Sequence, residues 1–194
     1  MYELPTSIQL GKQSFAIRDR GDYKMVIDCF RALNDNELTD EWKIYTALII
    51  FYGDLEGIED LNKLGDIEEA VNQMYIFFNC GNADLDNVPK SPKLIDWEQD
   101  EQLISSAINK VAGQEIRSIP YIHWWTFMAW YLAIGDSPLS YIVGIRHKLA
   151  TNQKLEKYEK KFQHENPQYF RMDFMREEDK EYEEFLKSVW NKGD

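Results

Sequence analysis

Residues that carry chemistry are scarce in this chain. Cys29 and Cys80 are the only cysteines among 194 residues, and His123, His147 and His164 fall in three separate segments. No Cys-x-x-Cys pair or paired-histidine helix arises, which excludes the common zinc spacings. Glycine-rich phosphate loops, the dinucleotide fingerprint and the Gly-x-Ser-x-Gly elbow are also missing, so no catalytic residue, metal or cofactor is expected. No apolar run reaches the roughly 20 residues that span a bilayer, and neither end carries a lipidation motif. Met1-Tyr2-Glu3-Leu4-Pro5 does not read as a secretory signal, and the expectation is a cytoplasmic protein with two buried, reduced thiols. Basic residues are in deficit: 22 Lys and Arg against 34 Asp and Glu give a net charge of -12. That balance repels phosphate backbones and argues against a nucleic-acid partner.

What the chain does have is apolar and aromatic mass, 44% and 14% of its residues. The length suits one core domain over residues 1–150, with 1–20 as an extended arm or hairpin, followed by a charged helical tail over 151–194. The predicted fold class is all-α. Ser7 to Ile17 alternates weakly around Gly11-Lys12-Gln13, as a small hairpin would. Asp22 caps a helix whose Met25, Val26, Cys29, Phe30 and Leu33 recur at helical spacing. Thr39 or Asp40 caps a mostly apolar helix that stops at Gly53. Asp66 and Glu69 have capping-box spacing and open a helix through Phe78, with Gly81 as its stop. Residues 82–92 hold turn formers and two prolines and form the longest internal loop. A further helix is predicted from Asp96 to Val111, and another from Ser137-Pro138 to Leu149.

Between the last two lies Tyr121 to Ile134, an almost wholly apolar stretch with three tryptophans. A helix that is apolar on every side must be buried on every side, within the domain or between subunits. Trp124, Trp125, Phe127 and Trp130 are therefore predicted to be core.

Charge is unevenly distributed. Between Asp35 and Glu101 there are 17 acidic residues against four basic ones, whereas Arg146 to Lys161 holds six basic residues against Glu156 and Glu159. Such polarity suits head-to-tail self-association, with Lys154, Lys157, Lys160 and Lys161 meeting a surface that contains Glu68, Glu69, Glu98 and Asp100. After Thr151, large aromatics stand on a charged background: Tyr169, Phe170, Phe174, Phe185 and Trp190 are candidates for docking on a partner. Arg146 either pairs with a buried carboxylate or lies on the assembly surface. The carboxylates at 66–69 and 96–101 allow comparison with an all-α Mg²⁺-dependent nucleotide pyrophosphatase, but their spacing fits poorly and the helix dipole accounts for them.

The block Ile122-His123-Trp124-Trp125-Thr126-Phe127, followed by Leu139-Ser140-Tyr141-Ile142 and Arg146, resembles the bacteriophage gene-product-fifteen family. Trp97-Glu98-Gln99-Asp100 resembles the acidic segment before that block. The resemblance implies a tail assembly chaperone of long-tailed phages and prophages of Gram-positive bacteria. Such a protein is non-enzymatic, acts in the host cytoplasm and is absent from the mature virion. It would bind itself as a ring or spiral, coat the tape measure protein and help to recruit tail tube subunits. A different class of function is an acidic DNA mimic that blocks a host protein.

Overall fold

The alternation at the N-terminus forms two antiparallel strands, β1 (Ser7–Leu10) and β2 (Gln13–Ala16), paired in the register Ile8 to Phe15. Gly11, at φ 56°, takes the turn position where a two-residue hairpin needs a positive φ. Ile8, Leu10, Phe15 and Ile17 are buried, so the inner face of the hairpin packs on the helical core. The remaining regular structure is helical, in a computed structural model that describes residues 3–83 and 92–171. The expected loop over 82–92 lies largely outside the described residues.

Two compact units result, Met1–Lys90 with Ile104–Ile134, and Ser91–Leu103 with Gly135–Asp194. In the first unit, Asp22 caps α1 (Tyr23–Leu33) by accepting the Lys24 N–H, and Thr39 caps α2 (Asp40–Phe51). Asp66 caps α3 (Ile67–Phe78) by accepting the Glu69 N–H at 3.1 Å. The chain leaves α3 through two left-handed residues, Cys80 at φ 55° and Gly81 at φ 86°. Cys29 is fully buried, and burial pushes its thiol pKa up. Cys80 is exposed, contrary to expectation, because it sits in the turn beyond the end of α3.

The core of this unit is aromatic. Phe51 packs on Tyr52, Phe77 and Phe78 at centroid distances of 4.9, 5.4 and 5.7 Å. Trp124 stacks on Phe127 at 5.5 Å and meets Phe30 edge-on at 5.8 Å. Offset and edge-to-face pairs of this kind add about 0.5–1.5 kcal/mol each beyond area burial. Tyr52 buries its ring completely, and its hydroxyl donates to the Ala70 carbonyl at 2.9 Å.

Helix α4 (Glu101–Ala112) begins five residues later than predicted and stops at Gly113, φ 71°. Asp96 does not cap it. Its carboxylate instead accepts the Glu98 and Gln99 N–H groups, both at 2.9 Å, and forms a separate turn. In the second unit, Ser137 and Ser140 close a capping box around Pro138 and open α6 (Pro138–Ala150). Helix α7 (Lys157–Glu165) follows, and Pro167 opens a 3-10 turn, Pro167–Tyr169. Among the described residues, no helix is long and apolar enough to cross a membrane.

Candidate functional site

Two constellations organise the sequence block singled out above, one in each unit. In the first, α5 (Trp124–Leu132) is shorter than the apolar run that encodes it. His123 is its N-cap: Nδ1 accepts the Trp125 N–H at 3.1 Å, and Nε2 lies 3.0 Å from the Pro5 carbonyl oxygen. The accepting Nδ1 puts the ring proton on Nε2, so His123 is neutral and donates to Pro5. Burial lowers its pKa from the usual 6.5. Gly21, at φ 78°, lies against this ring, and a Cβ there would meet Phe77 Cζ at 2.8 Å and His123 Nε2 at 3.1 Å.

Both indoles of the double tryptophan are directed at the end of α3. Trp124 Nε1 donates to the Phe78 carbonyl and Trp125 Nε1 to the Phe77 carbonyl, each at 2.9 Å. Carbonyls in the last turn of a helix have no intrahelical partner, so the pair acts as an aromatic C-cap. Asp22 joins α1 to the same block. One carboxylate oxygen caps α1, and the other accepts the Ile122 N–H at 2.9 Å.

Ile122, His123, Trp124 and Phe127 are buried. Trp125 and Trp130 are half-buried, short of the full burial expected of them, and Leu132 is 76% exposed. One flank of the helix provides the core contacts and another carries Ala129 and Leu132 outward. The all-round apolar pattern is therefore not matched by all-round burial within the chain.

Arg146 of α6 anchors the second constellation. Its guanidinium makes a bidentate pair with Asp100, Nη1 to Oδ2 at 2.6 Å and Nη2 to Oδ1 at 2.8 Å, and both side chains are 2% exposed. Nη1 also donates to the Leu94 carbonyl at 2.9 Å, and Nε donates to the Tyr169 carbonyl at 2.8 Å. Asp100 further accepts the Asp96 N–H at 3.1 Å. One side chain thus fastens three segments of the unit: the approach to α4, α6 and the 3-10 turn after α7. Gln99 adds a second fastening, from its Nε2 to the Arg171 carbonyl at 2.7 Å. Asp100 was expected on an assembly surface, and its burial beside Arg146 withdraws it from one.

The other charged candidates are placed as follows. Glu68 and Glu98 are exposed and Glu69 is half-buried. Lys154, Lys157, Lys160 and Lys161 are exposed, and Lys161 lies 3.7 Å from Glu165. Lys148, a basic residue of the same segment, donates to Glu159 at 2.6 Å; this bond, with the Glu156 N–H, holds the Glu159 carboxyl below the usual range. Tyr169 and Phe170 are half-buried, with the Phe170 ring 6.2 Å from Phe162. Phe174, Phe185 and Trp190 lie outside the described residues. Near the end of α7, Lys160, Gln163, His164, Pro167, Phe170 and Arg171 line an open groove of about 340 Å³.

Three of the carboxylates compared above with metal ligands are engaged otherwise: Asp66 and Asp96 cap backbone N–H groups, and Asp100 holds Arg146. Among the described residues, no group of three or more His, Cys, Asp or Glu is placed to hold a metal ion.

Sequence reasoning missed Arg18. Its Nε donates to the Ile50 carbonyl at 3.0 Å, and its Nη2 donates to the carbonyls of Ile49, Tyr52 and Leu55. A cation at a helix C-terminus satisfies orphan carbonyls and complements the dipole. Nothing local to Ile17-Arg18-Asp19 signals a partner more than 30 residues away.

Comparison with curated proteins and with solved structures gives no match. The family model described as Bacteriophage Gp15 protein matches residues 2–171. That span takes in the hairpin, the His123–Phe127 block and the Arg146–Asp100 pair, and the chain belongs to the bacteriophage Gp15 protein family.

Proposed function

We propose that this protein is a non-enzymatic tail assembly chaperone of a long-tailed phage or prophage. It acts in the cytoplasm of the bacterial host, coats the tape measure protein while the tail grows, helps to recruit tail tube subunits and is left out of the finished virion. Family membership over residues 2–171 is the observation that carries this reading. Two features support it. The titratable side chains at the two constellations are used as caps and braces, which suits a binding protein better than a catalyst. The outward faces combine exposed apolar side chains, such as Leu132 and Trp42, with the exposed lysines of α7, which suits a coat that binds itself and an apolar partner.

Light scattering tests the reading. Purified protein should form oligomers that dissociate as salt rises, since exposed charges are screened over about 10 Å at 0.1 M salt. Added tape measure fragments should shift it to larger particles that remain in solution. A monodisperse monomer under all of these conditions contradicts the proposal.

A further inference from the structure

The groove at the end of α7 has the features of a receptor for an acidic projection. Lys160 and His164 stand one turn apart on α7, so both face the same side. Arg171 follows the 3-10 turn and completes a cluster of three basic side chains around the rings of Phe170 and Pro167. Among the described residues no carboxylate lines the groove, and none pairs with these three side chains in a salt bridge. The frame is held in place: Arg146 fixes the Tyr169 carbonyl, Gln99 fixes the Arg171 carbonyl, and Phe162 packs on Phe170. A volume of about 340 Å³ is at the small end for ligand sites and suits a side chain or two with flanking charges.

A segment with the complementary character lies in the first unit. Ile58 is 41% exposed at the start of the 3-10 turn Ile58–Leu64, flanked by exposed Glu56 and Glu59. Asp60 braces this projection by accepting the Glu56 N–H at 2.9 Å and pairing with Lys63 at 2.7 Å, while its own N–H donates to the Gly57 carbonyl at 3.1 Å. Neither Glu56 nor Glu59 makes a salt bridge among the described residues. The result is a braced apolar knob between two carboxylates.

The geometry points to a specific head-to-tail contact: the Lys160–His164–Arg171 groove of one copy receives the Glu56–Ile58–Glu59 knob of a second copy. Ile58 packs on Phe170 and Pro167, and the two carboxylates face the three basic side chains. Because groove and knob are different surfaces, the contact is heterologous and propagates to a ring or spiral. This inference rests on the self-association reading above and names its two surfaces.

The test uses full-length protein in two charge-reversed forms, Lys160→Glu with Arg171→Glu, and Glu56→Lys with Glu59→Lys, studied alone and mixed by light scattering at low salt. All four positions are exposed, so circular dichroism should match the wild type. Each form alone should need about tenfold more protein, or greater, to reach half-assembly, as expected for loss of opposed charges at a contact. The mixture should recover assembly, because the intact knob of one form meets the intact groove of the other and the two reversed surfaces again carry opposite charges. Ile58→Ser should weaken assembly without changing its salt dependence. If the wild type assembles and the charge-reversed forms do so equally, the groove is wrong while self-association stands. If both forms fail and mixing restores nothing, the pairing of groove with knob is wrong. A wild-type monomer at every concentration overturns both readings.

Discussion

Replacing Arg146 with methionine removes the guanidinium that fastens three segments of the second unit, and the cost can be worked from its bonds. The Asp100 side chain, 2% exposed, would lose both bonds of its bidentate pair, at 2.6 and 2.8 Å. The carbonyls of Leu94 and Tyr169 would lose their donors as well. Breaking one side of a buried ion pair typically costs about 3–5 kcal/mol, because it strands a charge away from water. Asp100→Leu should cost a similar amount by stranding the guanidinium. The informative protein is the double variant, Arg146→Met with Asp100→Leu, in which no buried charge remains. It still lacks donors for two carbonyls, at about 1 kcal/mol each, yet it should be more stable than the sum of the single losses by about 2–3 kcal/mol. Urea denaturation followed by tryptophan fluorescence measures all four proteins. A double variant that loses the full sum of the single effects, or an Arg146→Met that loses under about 1 kcal/mol, would refute the reasoning.

Other consequences follow from the same geometry. Trp124→Ala should cost about 3–5 kcal/mol through the cavity left in the aromatic core, whereas Trp125→Ala, at a half-buried site, should cost clearly less; thermal denaturation of the two separates them. His123 is neutral in the folded state with a pKa below its usual 6.5, so on acidification the unfolded chain takes up a proton first. Stability should hold above pH 6.5 and fall below it by up to about 1.4 kcal/mol per pH unit for this one group. His123→Asn should flatten that fall, and an unchanged slope in urea titrations between pH 7.5 and 5.5 would remove His123 as its source. Gly21→Ala should destabilise by about 1–3 kcal/mol, since it combines a positive φ with a Cβ 2.8 Å from Phe77; a neutral result by calorimetry would contradict the close approach.

Much of the fold was legible in local pattern because caps and periodicity are local. Asp22, Thr39, Asp66 and Ser137 each stand where a side-chain acceptor meets an apolar helical repeat, and each caps the helix that the pattern indicated. The hairpin announced itself through Gly11. Errors arose where tertiary contacts overrode a local signal. Asp96 was read as the start of a helix, but it folds its own turn while Asp100, four residues on, belongs to Arg146 across 46 residues of sequence. A solvent-facing carboxylate and one held by a distant guanidinium read alike in sequence, which is why Asp100 was assigned to a surface. The Tyr121–Ile134 run was legible as core only in part, since Trp125 and Trp130 stay half-buried, and it was not legible as a cap: only the fold brings two indole N–H groups to the carbonyls of Phe77 and Phe78. The same holds for Arg18, whose four carbonyl acceptors come from Ile49 to Leu55. The family, by contrast, was legible in the wording of one block, whose His123, Trp124 and Trp125 each bond to a carbonyl distant in sequence.

The central claim is that this protein keeps the phage tape measure protein in solution by coating it. Co-expression of the two chains, followed by affinity purification through a tag on the tape measure protein, tests this most directly. The account predicts that the tape measure protein moves from the insoluble to the soluble fraction and that many copies of this chain copurify with each one, fewer at high salt. A tape measure protein that stays equally insoluble, or copurifies with none of this chain, would contradict it.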